Sequence, residues 1–152
     1  MDIGSGQGWP SAALSNFSPH EFFFRGVKCA SMEGLLQALK HKSSEMQLHV
    51  CTLVGKAAKF NGKKKKWWQT QTLFWQGKEI DRHSDEYQLL LNEAFWCLFS
   101  QNESARLALL ATGNAVLEHS MGKPDASRTV LTVREFCSRL THIRAQLQRA
   151  TR

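Results

Sequence analysis

Hydrophobic residues recur at helical spacing in the second half of the chain. The clearest stripe follows Ser84, a residue type that caps helix starts, and it keeps a 3.6-residue period. Its apolar members are Tyr87, Leu90, Leu91, Ala94, Phe95, Leu98 and Phe99. Asn102 predicts the cap of the next helix, which ends at Gly113 and turns Leu107, Leu109 and Leu110 inward.

A last helix is predicted from the capping box of Thr132 and Glu135. Its apolar stripe consists of Val133, Phe136, Cys137, Leu140, Ile143 and Leu147. Residues 120–131 before it are predicted to be a connection, because Pro124 excludes a continuous helix. Trp75 and Trp96 are predicted to lie in the core.

The first half of the chain predicts a short β-hairpin followed by a helix. Phe22-Phe23-Phe24, the turn Arg25-Gly26 and Val27-Lys28-Cys29 form the hairpin pattern. Ser31 then stands as an N-cap, and Leu35, Leu36 and Leu39 have helical spacing. Glu33 falls in the first turn, where the helix dipole stabilises negative charge, so it has a purely structural explanation beside any chemical one.

The middle of the chain predicts another helix and then a loop. The helix starts after Ser43 and runs through Met46, Val50 and Leu53, with Gly55 near its end. The stretch from Lys56 to Gln69 contains the turn signal Asn61-Gly62 and is therefore predicted to be a loop. Residues 1–12 are predicted to be a flexible lead-in, and residues 13–152 a single α+β domain, mainly helical with a small β element.

Composition narrows the partners and the compartment. A net charge of +7 over 152 residues favours an anionic partner (a nucleotide, a phosphosugar or nucleic acid), with solubility as the alternative explanation. The four cysteines lie far apart without a CxxC pair, which predicts buried thiols in a reducing compartment. No apolar run has membrane-spanning length and the start lacks a signal-peptide core. We therefore expect a cytoplasmic protein with no membrane partner, and its oligomeric state stays open.

An amide and a carboxylate stand at the two ends of the predicted hairpin, and we expect Asn16 and Glu33 to face one cleft. Cleavage of an N-glycosidic bond passes through an oxocarbenium-like sugar, which needs a carboxylate near C1′ and an acid for the leaving nitrogen. Glu33 is the candidate for the first role, and Glu118 and Asp125 are candidates for a second carboxyl group. Asn16 is a candidate for holding a ribose hydroxyl, or else a turn cap before Pro19. For Glu118 the alternative is an ion pair with a Lys or Arg.

Basic residues offer partners for phosphate. Lys40, the four lysines at 63–66 and Lys123 are candidates for charge-assisted contacts, with a solvated surface as the alternative. The run precedes Trp67-Trp68, and a tryptophan beside cations can stack on a base, as in single-strand grooves, or lie in the core. The six histidines show no metal-ligand spacing, so neither a metal nor another cofactor is expected.

Several short motifs in order resemble one known family. They are Leu14-Ser15-Asn16-Phe17, Gly26, Ser31-Met32-Glu33 and Gln37-Ala38-x-Lys40, followed by Phe99-x-Gln101-Asn102, Leu109-Leu110-Ala111-Thr112-Gly113, Leu117-Glu118-His119 and Leu140-x-x-Ile143-Arg144. Together they cover nearly the entire chain and resemble the NADAR domain of YbiA-like N-glycosidases.

This resemblance implies a mostly helical fold with a small β part and hydrolysis of a C1′–N bond on a ribosyl phosphate. It implies as partner a phosphorylated ribosyl or ADP-ribosyl small molecule, such as a phosphoribosylamino-pyrimidine, or ADP-ribosylated guanine in nucleic acid. Glu33 matches the family's essential glutamate, Asn16 its motif asparagine, and Trp67 or Trp68 its functional tryptophan. The predicted catalytic residues are Glu33, Asn16 and Asp125, and the predicted substrate-binding residues are Phe17, Gln37, Lys40, Lys65, Trp67, Trp68, Glu118 and Lys123.

The chain also departs from the family pattern. Gly34 stands where the family has His, Leu35 where an aromatic is common, and Leu98 where a Lys is usual. The family's Trp-Gly segment is replaced by Gly122-Lys123-Pro124-Asp125, in which Asp125 is the candidate acid. Two alternatives to an enzyme therefore stay open: a binding module that holds a nucleotide or ADP-ribose without turnover, and a nucleic-acid-binding protein that uses the lysine run and Trp67-Trp68.

Overall fold

The computed structural model describes residues 1–150, which form six α-helices and two antiparallel β-hairpins. The helices are α1 (Met32–Ala38), α2 (Ser44–Val50), α3 (Gly55–Lys63), α4 (Asp85–Gln101), α5 (Glu103–Ala111) and α6 (Val133–Ala150). The strands are β1 (Phe22–Phe24), β2 (Val27–Cys29), β3 (Thr72–Trp75) and β4 (Lys78–Asp81). The predicted α+β class is confirmed.

The predicted helix starts are confirmed by their caps. Ser84 accepts a hydrogen bond from the amide of Tyr87 at the start of α4, and Asn102 does the same for α5. Thr132 and Glu135 form the reciprocal capping box, with distances of 2.8 and 3.0 Å. Helix α4 then contacts β1, β4, α1, α5 and α6, so the hydrophobic core is built around it.

Two residues predicted to point inward are exposed. Trp75 lies in the core, edge-on to Phe24 with ring centroids 5.2 Å apart, as expected. Trp96 is 43% exposed, because it follows the fully buried Phe95 and so points about 100° away around α4. Leu107 is 53% exposed, because α5 buries Ala105, Ala108 and Leu109 instead. These two core predictions were wrong.

The stretch predicted to be a loop contains helix α3. Gly55 begins this helix and does not end the previous one, since α2 stops at Val50. Gly62 lies in the last turn of α3, where a Cβ would stand 1.6 Å from Oε1 of Gln37. The glycine at this position therefore serves the close approach of α3 to α1, and the Asn61-Gly62 turn prediction was wrong.

The β3–β4 hairpin was not predicted. Thr72 pairs with Asp81 and Trp75 with Lys78 across a two-residue turn of Gln76 and Gly77. Both turn residues have positive φ, 44° and 90°, as the twist of a tight hairpin requires. Phe74 donates its amide to the carbonyl of Leu39 at 2.8 Å, which ties this hairpin to the end of α1.

The N-terminal segment is packed onto the fold, so the expected flexible lead-in is corrected. Ile3 is fully buried, and its amide donates to the carbonyl of Glu118 at 2.8 Å. The amide of Glu118 donates back to Met1, and the Asp2 carboxylate accepts from the amide and hydroxyl of Ser120. Buried apolar area and paired backbone groups together hold residues 1–3 beside residues 118–120.

The cysteines and the helices add two observations. All four thiols are free, with Cys29 and Cys51 buried as expected and Cys97 and Cys137 half-buried. Within residues 1–150, no helix combines the length and the apolar character needed to cross a bilayer.

Candidate functional site

A cavity of about 360 Å³ lies between helices α1 and α3 and several loop segments. The loops that line it are residues 4–5, 15–17, 119, 121–123 and 128–131. A larger, shallower groove of about 630 Å³ lies between α4 and α6 and has no carboxylate in its lining. The smaller cavity is the candidate site, because it combines a carboxylate, an amide and several cations.

One face of α1 forms the polar wall of the cavity. Glu33 and Gln37 lie four residues apart on one side of α1, and Lys40 follows in the turn after the helix. The helix start is held by Ser31, whose hydroxyl accepts from the amide of Gly34 at 3.1 Å and donates to the carbonyl of Leu53 at 3.0 Å.

Gly34 faces away from this wall. A Cβ at this position would stand 2.7 Å from the carbonyl oxygen of Leu53, so the chain between α2 and α3 packs directly on the helix here. Gly34 therefore serves the packing of α1 against its neighbours and is not among the residues that line the cavity.

Glu33 is the carboxylate of the cavity. Its backbone amide donates to the carbonyl of Asn16 at 3.1 Å, and its Oε1 accepts from Nε2 of Gln37 at 2.8 Å. Burial raises the pKa of Glu33 above its usual range, while the Gln37 hydrogen bond and the nearby charge of Lys40 oppose that rise. Because Glu33 is partly shielded from water, positive charge on a ligand would interact with its carboxylate more strongly than with an exposed one.

Four cations share the cavity with this one carboxylate: Lys40, Lys59, Lys123 and Arg128. Burial lowers the pKa of Lys40 to about 8; Glu33 opposes this shift, and Lys123 and Lys59 add to it. The lining of the cavity therefore carries an excess of positive charge.

The structure brings together six of the predicted site residues. Asn16, Phe17, Glu33, Gln37, Lys40 and Lys123 all line the cavity. The remaining five predicted residues, Lys65, Trp67, Trp68, Glu118 and Asp125, lie outside its lining.

Each residue outside the lining has a local environment of its own. Trp67 is buried in the core, whereas Trp68 is 52% exposed and Lys65 is exposed. Asp125 is exposed and closes a turn by accepting from the amide and hydroxyl of Ser127 at 2.9 and 2.7 Å. The side chain of Glu118 is exposed, and its backbone bridges to the N-terminal segment.

Three lining residues with ionisable side chains were missed by sequence reasoning. Lys59 lies on α3, and a helical interpretation of that stretch would have placed it beside α1. Arg128 and His119 come from the long connection between α5 and α6 and enter the cavity only through the tertiary fold. Nδ1 of His119 bonds to the carbonyl oxygen of Ile3 at 2.7 Å, a contact across 116 residues.

Cofactor-binding features are sparse. In the described part of the chain, no three or more His, Cys, Asp or Glu side chains are grouped so that they could hold a metal ion. The polar groups of the cavity are one carboxylate, amides, an imidazole and cations, a set suited to sugar hydroxyls and phosphate.

Comparison with known proteins identifies relatives of this chain in sequence and in fold. The family model of the bacteriophage protein GP30.3 matches residues 8–145. An uncharacterized 17.1 kDa protein from the Gp30–rIII intergenic region of Enterobacteria phage T4 is 36% identical over 149 residues, covering 97% of this chain and 98% of that protein. The NMR structure of the E. coli protein YbiA has a TM-score of 0.65 at 15% identity, covering 98% of this chain and 84% of that one.

The expected likeness to YbiA is thereby confirmed at the level of the fold, and the sequence match identifies the family. The chain belongs to the bacteriophage GP30.3 protein family.

Proposed function

We propose that this protein is an N-glycosidase that hydrolyses the C1′–N bond of a ribosyl phosphate or an ADP-ribose adduct. The observation that carries the proposal is a half-buried carboxylate, Glu33, in a cavity rimmed by four cations. The YbiA-like fold supports the same class of reaction, since the sequence motifs resemble those of the N-glycosidases that share it.

Glu33 supplies the negative charge that the reaction needs. As the C1′–N bond lengthens, positive charge develops on the sugar, and a carboxylate beside C1′ stabilises it. The amide of Gln37 orients this carboxylate through its 2.8 Å hydrogen bond. Because burial raises the pKa of Glu33, its anion gains more from a developing cation than an exposed carboxylate would.

The cations recognise the phosphate. Lys40 lies in the turn that follows α1, and Lys59, Lys123 and Arg128 add charge from three other segments. A phosphate between them makes charge-assisted hydrogen bonds that fix the sugar relative to Glu33. The apolar side chains of Phe17, Leu36 and Phe136 line the same cavity and exclude water from the reacting bond.

The size of the cavity agrees with this substrate class. A volume of about 360 Å³ is at the small end of ligand sites, which suits one ribosyl phosphate with its base. The larger part of an ADP-ribose adduct would extend past the rim, and so would a nucleic-acid strand bearing one.

The proposal is tested by product release from two substrate classes. Wild-type protein is incubated with an oligonucleotide carrying ADP-ribosylated guanine and with phosphoribosylamino-pyrimidines, and the freed base and sugar are quantified. Turnover of either class above the uncatalysed rate is the expected result. Binding of ADP-ribose with no product from either class would contradict the proposal and favour a binding module.

A second candidate function is favoured by a surface of exposed aromatics among lysines. Trp68 and Phe60 are more than half exposed, beside Lys59 and the four lysines at 63–66. Bases stack on such rings while the lysines contact phosphates. Binding of single-stranded nucleic acid is therefore a candidate property of this surface.

The second candidate predicts a steep salt dependence. With four phosphate contacts, affinity for single-stranded DNA should fall about 50-fold between about 50 and 200 mM salt, as counterion release requires. Trp68→Ala should weaken binding about tenfold through lost stacking, and Trp96→Ala, an exposed tryptophan on α4, serves as the matched control. Affinity that is insensitive to salt and to both substitutions would exclude this function.

A further inference from the structure

His119 enters the candidate site from the connection between α5 and α6, which also carries Lys123. Its imidazole lines the cavity with Glu33, and the two groups are near enough for the charge of His119 to lower the pKa of that carboxyl. No step proposed so far for Glu33 and the cations uses this ring. It is therefore an unassigned acid–base group in the site.

The ring is held on three sides. Nδ1 bonds to the carbonyl oxygen of Ile3 at 2.7 Å, and the ring packs edge-on against Phe136 with centroids 5.3 Å apart. Gly122 lies against the ring edge, where a Cβ would stand 2.7 Å from Cδ2. Together, these three contacts fix the orientation of the imidazole ring.

The contact with Ile3 also determines which nitrogen is available. A carbonyl oxygen only accepts, so Nδ1 carries the proton and donates it to Ile3. Nε2 is then the nitrogen that can gain or lose a proton. It donates a hydrogen bond when the ring is charged and accepts one when the ring is neutral. Among residues 1–150, Nε2 makes no hydrogen bond, so this nitrogen is free for a ligand.

The N-terminal segment positions the ring. Ile3 is fully buried, and its amide and carbonyl both bond to residues 118 and 119. The Asp2 carboxylate holds Ser120, the residue after His119, by accepting two hydrogen bonds of 2.8 and 2.6 Å. Residues 1–3 therefore form part of the support of the site.

We propose that His119 is the acid that protonates the leaving nitrogen, and that residues 1–3 hold it in place for this step. The inference rests on the proposed N-glycosidase function. The C1′–N bond breaks with its electron pair passing to nitrogen, which takes the proton of Nε2. The oxygen of water bonds to C1′, its proton passes to Glu33, and exchange with solvent returns both groups to their starting states.

The test compares leaving groups that do and do not need a proton. His119→Asn keeps an amide at the position of Nδ1, and so keeps a donor for Ile3, but it has no group at Nε2. We expect about a 100-fold loss on the N-linked substrate and less than about a threefold loss on 4-nitrophenyl ribofuranoside 5-phosphate, whose leaving group departs as a stable anion. Free imidazole should restore turnover of the N-linked substrate to His119→Ala.

His20→Gln is the matched control, because His20 also bonds a backbone carbonyl, that of Ala13 at 2.8 Å, but lies outside the cavity lining. It should leave both rates unchanged. Undiminished activity in His119→Asn would overturn the inference, and so would equal losses on both substrates without rescue by imidazole. Absence of turnover in the wild type is a separate result, which removes the proposed function and this step with it.

Discussion

Replacing Glu33 with glutamine is expected to lower the rate of C1′–N hydrolysis about 1,000-fold. The amide has the same shape and can still accept from Nε2 of Gln37, but it has no charge to stabilise the cationic sugar. Steady-state kinetics on the substrate that the wild type turns over will measure the loss. It should fall on kcat, since Glu33 acts on charge that develops only in the transition state.

Stability measurements separate this role from that of a carboxylate that merely stabilises a helix start. Glu33 and Glu45 both lie in the first turn of seven-residue helices capped by a serine, and Glu45 is exposed. Burial raises the pKa of Glu33, so its ionised form destabilises the folded state at neutral pH. Glu33→Gln should therefore unfold at the same temperature as the wild type or higher.

Glu45→Gln should lose a few tenths of a kcal/mol, about the value of an exposed charge at a helix N-terminus, and keep full activity. If Glu33→Gln instead lost stability as Glu45→Gln does and retained its activity, Glu33 would be only a helix-start residue. The same raised pKa predicts the acid limb of the activity profile. As the pH is lowered, activity should be lost at a higher pH than it would be if Glu33 had the ordinary pKa of a glutamate.

Replacing Arg82 with methionine is expected to destabilise the fold by about 3–5 kcal/mol. Arg82 is 1% exposed and binds both carboxylate oxygens of Glu135, at 3.0 and 2.7 Å. Its Nε also donates to the carbonyl of Thr129 at 2.9 Å. Methionine fills much of the volume but leaves the buried Glu135 carboxylate without its cation.

The loss should extend to the candidate site. Thr129 and its two successors line the cavity, and Arg82, which follows β4, hydrogen-bonds to the first of them. Denaturant unfolding will measure the stability change. Lys78→Met removes an exposed ion pair with Glu86 and should cost less than about 1 kcal/mol, so a similar cost for both substitutions would contradict the argument.

The pH dependence of stability provides a second measurement on this pair. Burial by itself raises the pKa of Glu135, but hydrogen bonds from Arg82, Gln88 and the Thr132 amide outweigh it, so the pKa is lowered. Because the pKa of this carboxyl is lower in the folded state than in the unfolded state, where it is about 4.3, its ionisation stabilises the fold above that pH. This stabilisation is lost as the pH falls through the pKa of the folded state. Glu135→Gln should therefore flatten the acid limb of the stability curve.

Local patterns were sufficient for the first hairpin, the helix with Glu33 and the helices α4, α5 and α6. Each has a signal within a few residues: a turn dipeptide, a capping serine or asparagine, or an apolar stripe of helical period. They also placed Glu33 in the first turn of the helix that Ser31 caps. Helix α3 was missed because Asn61-Gly62 is typical of turns, whereas here Gly62 meets Gln37 of α1.

The sequence by itself therefore determined the fold class and the helix that carries Glu33 and Gln37 in the polar wall of the cavity, since helix periodicity and caps are local properties. Only the tertiary structure decided what stands beside that wall. It brought His119 in through Ile3, placed Lys59 and Arg128 at the rim, and left Trp67 and Asp125 outside the lining. The contact of residue 3 with residue 119 depends on which surfaces meet when the helices pack, and the local sequence pattern does not predict such a contact.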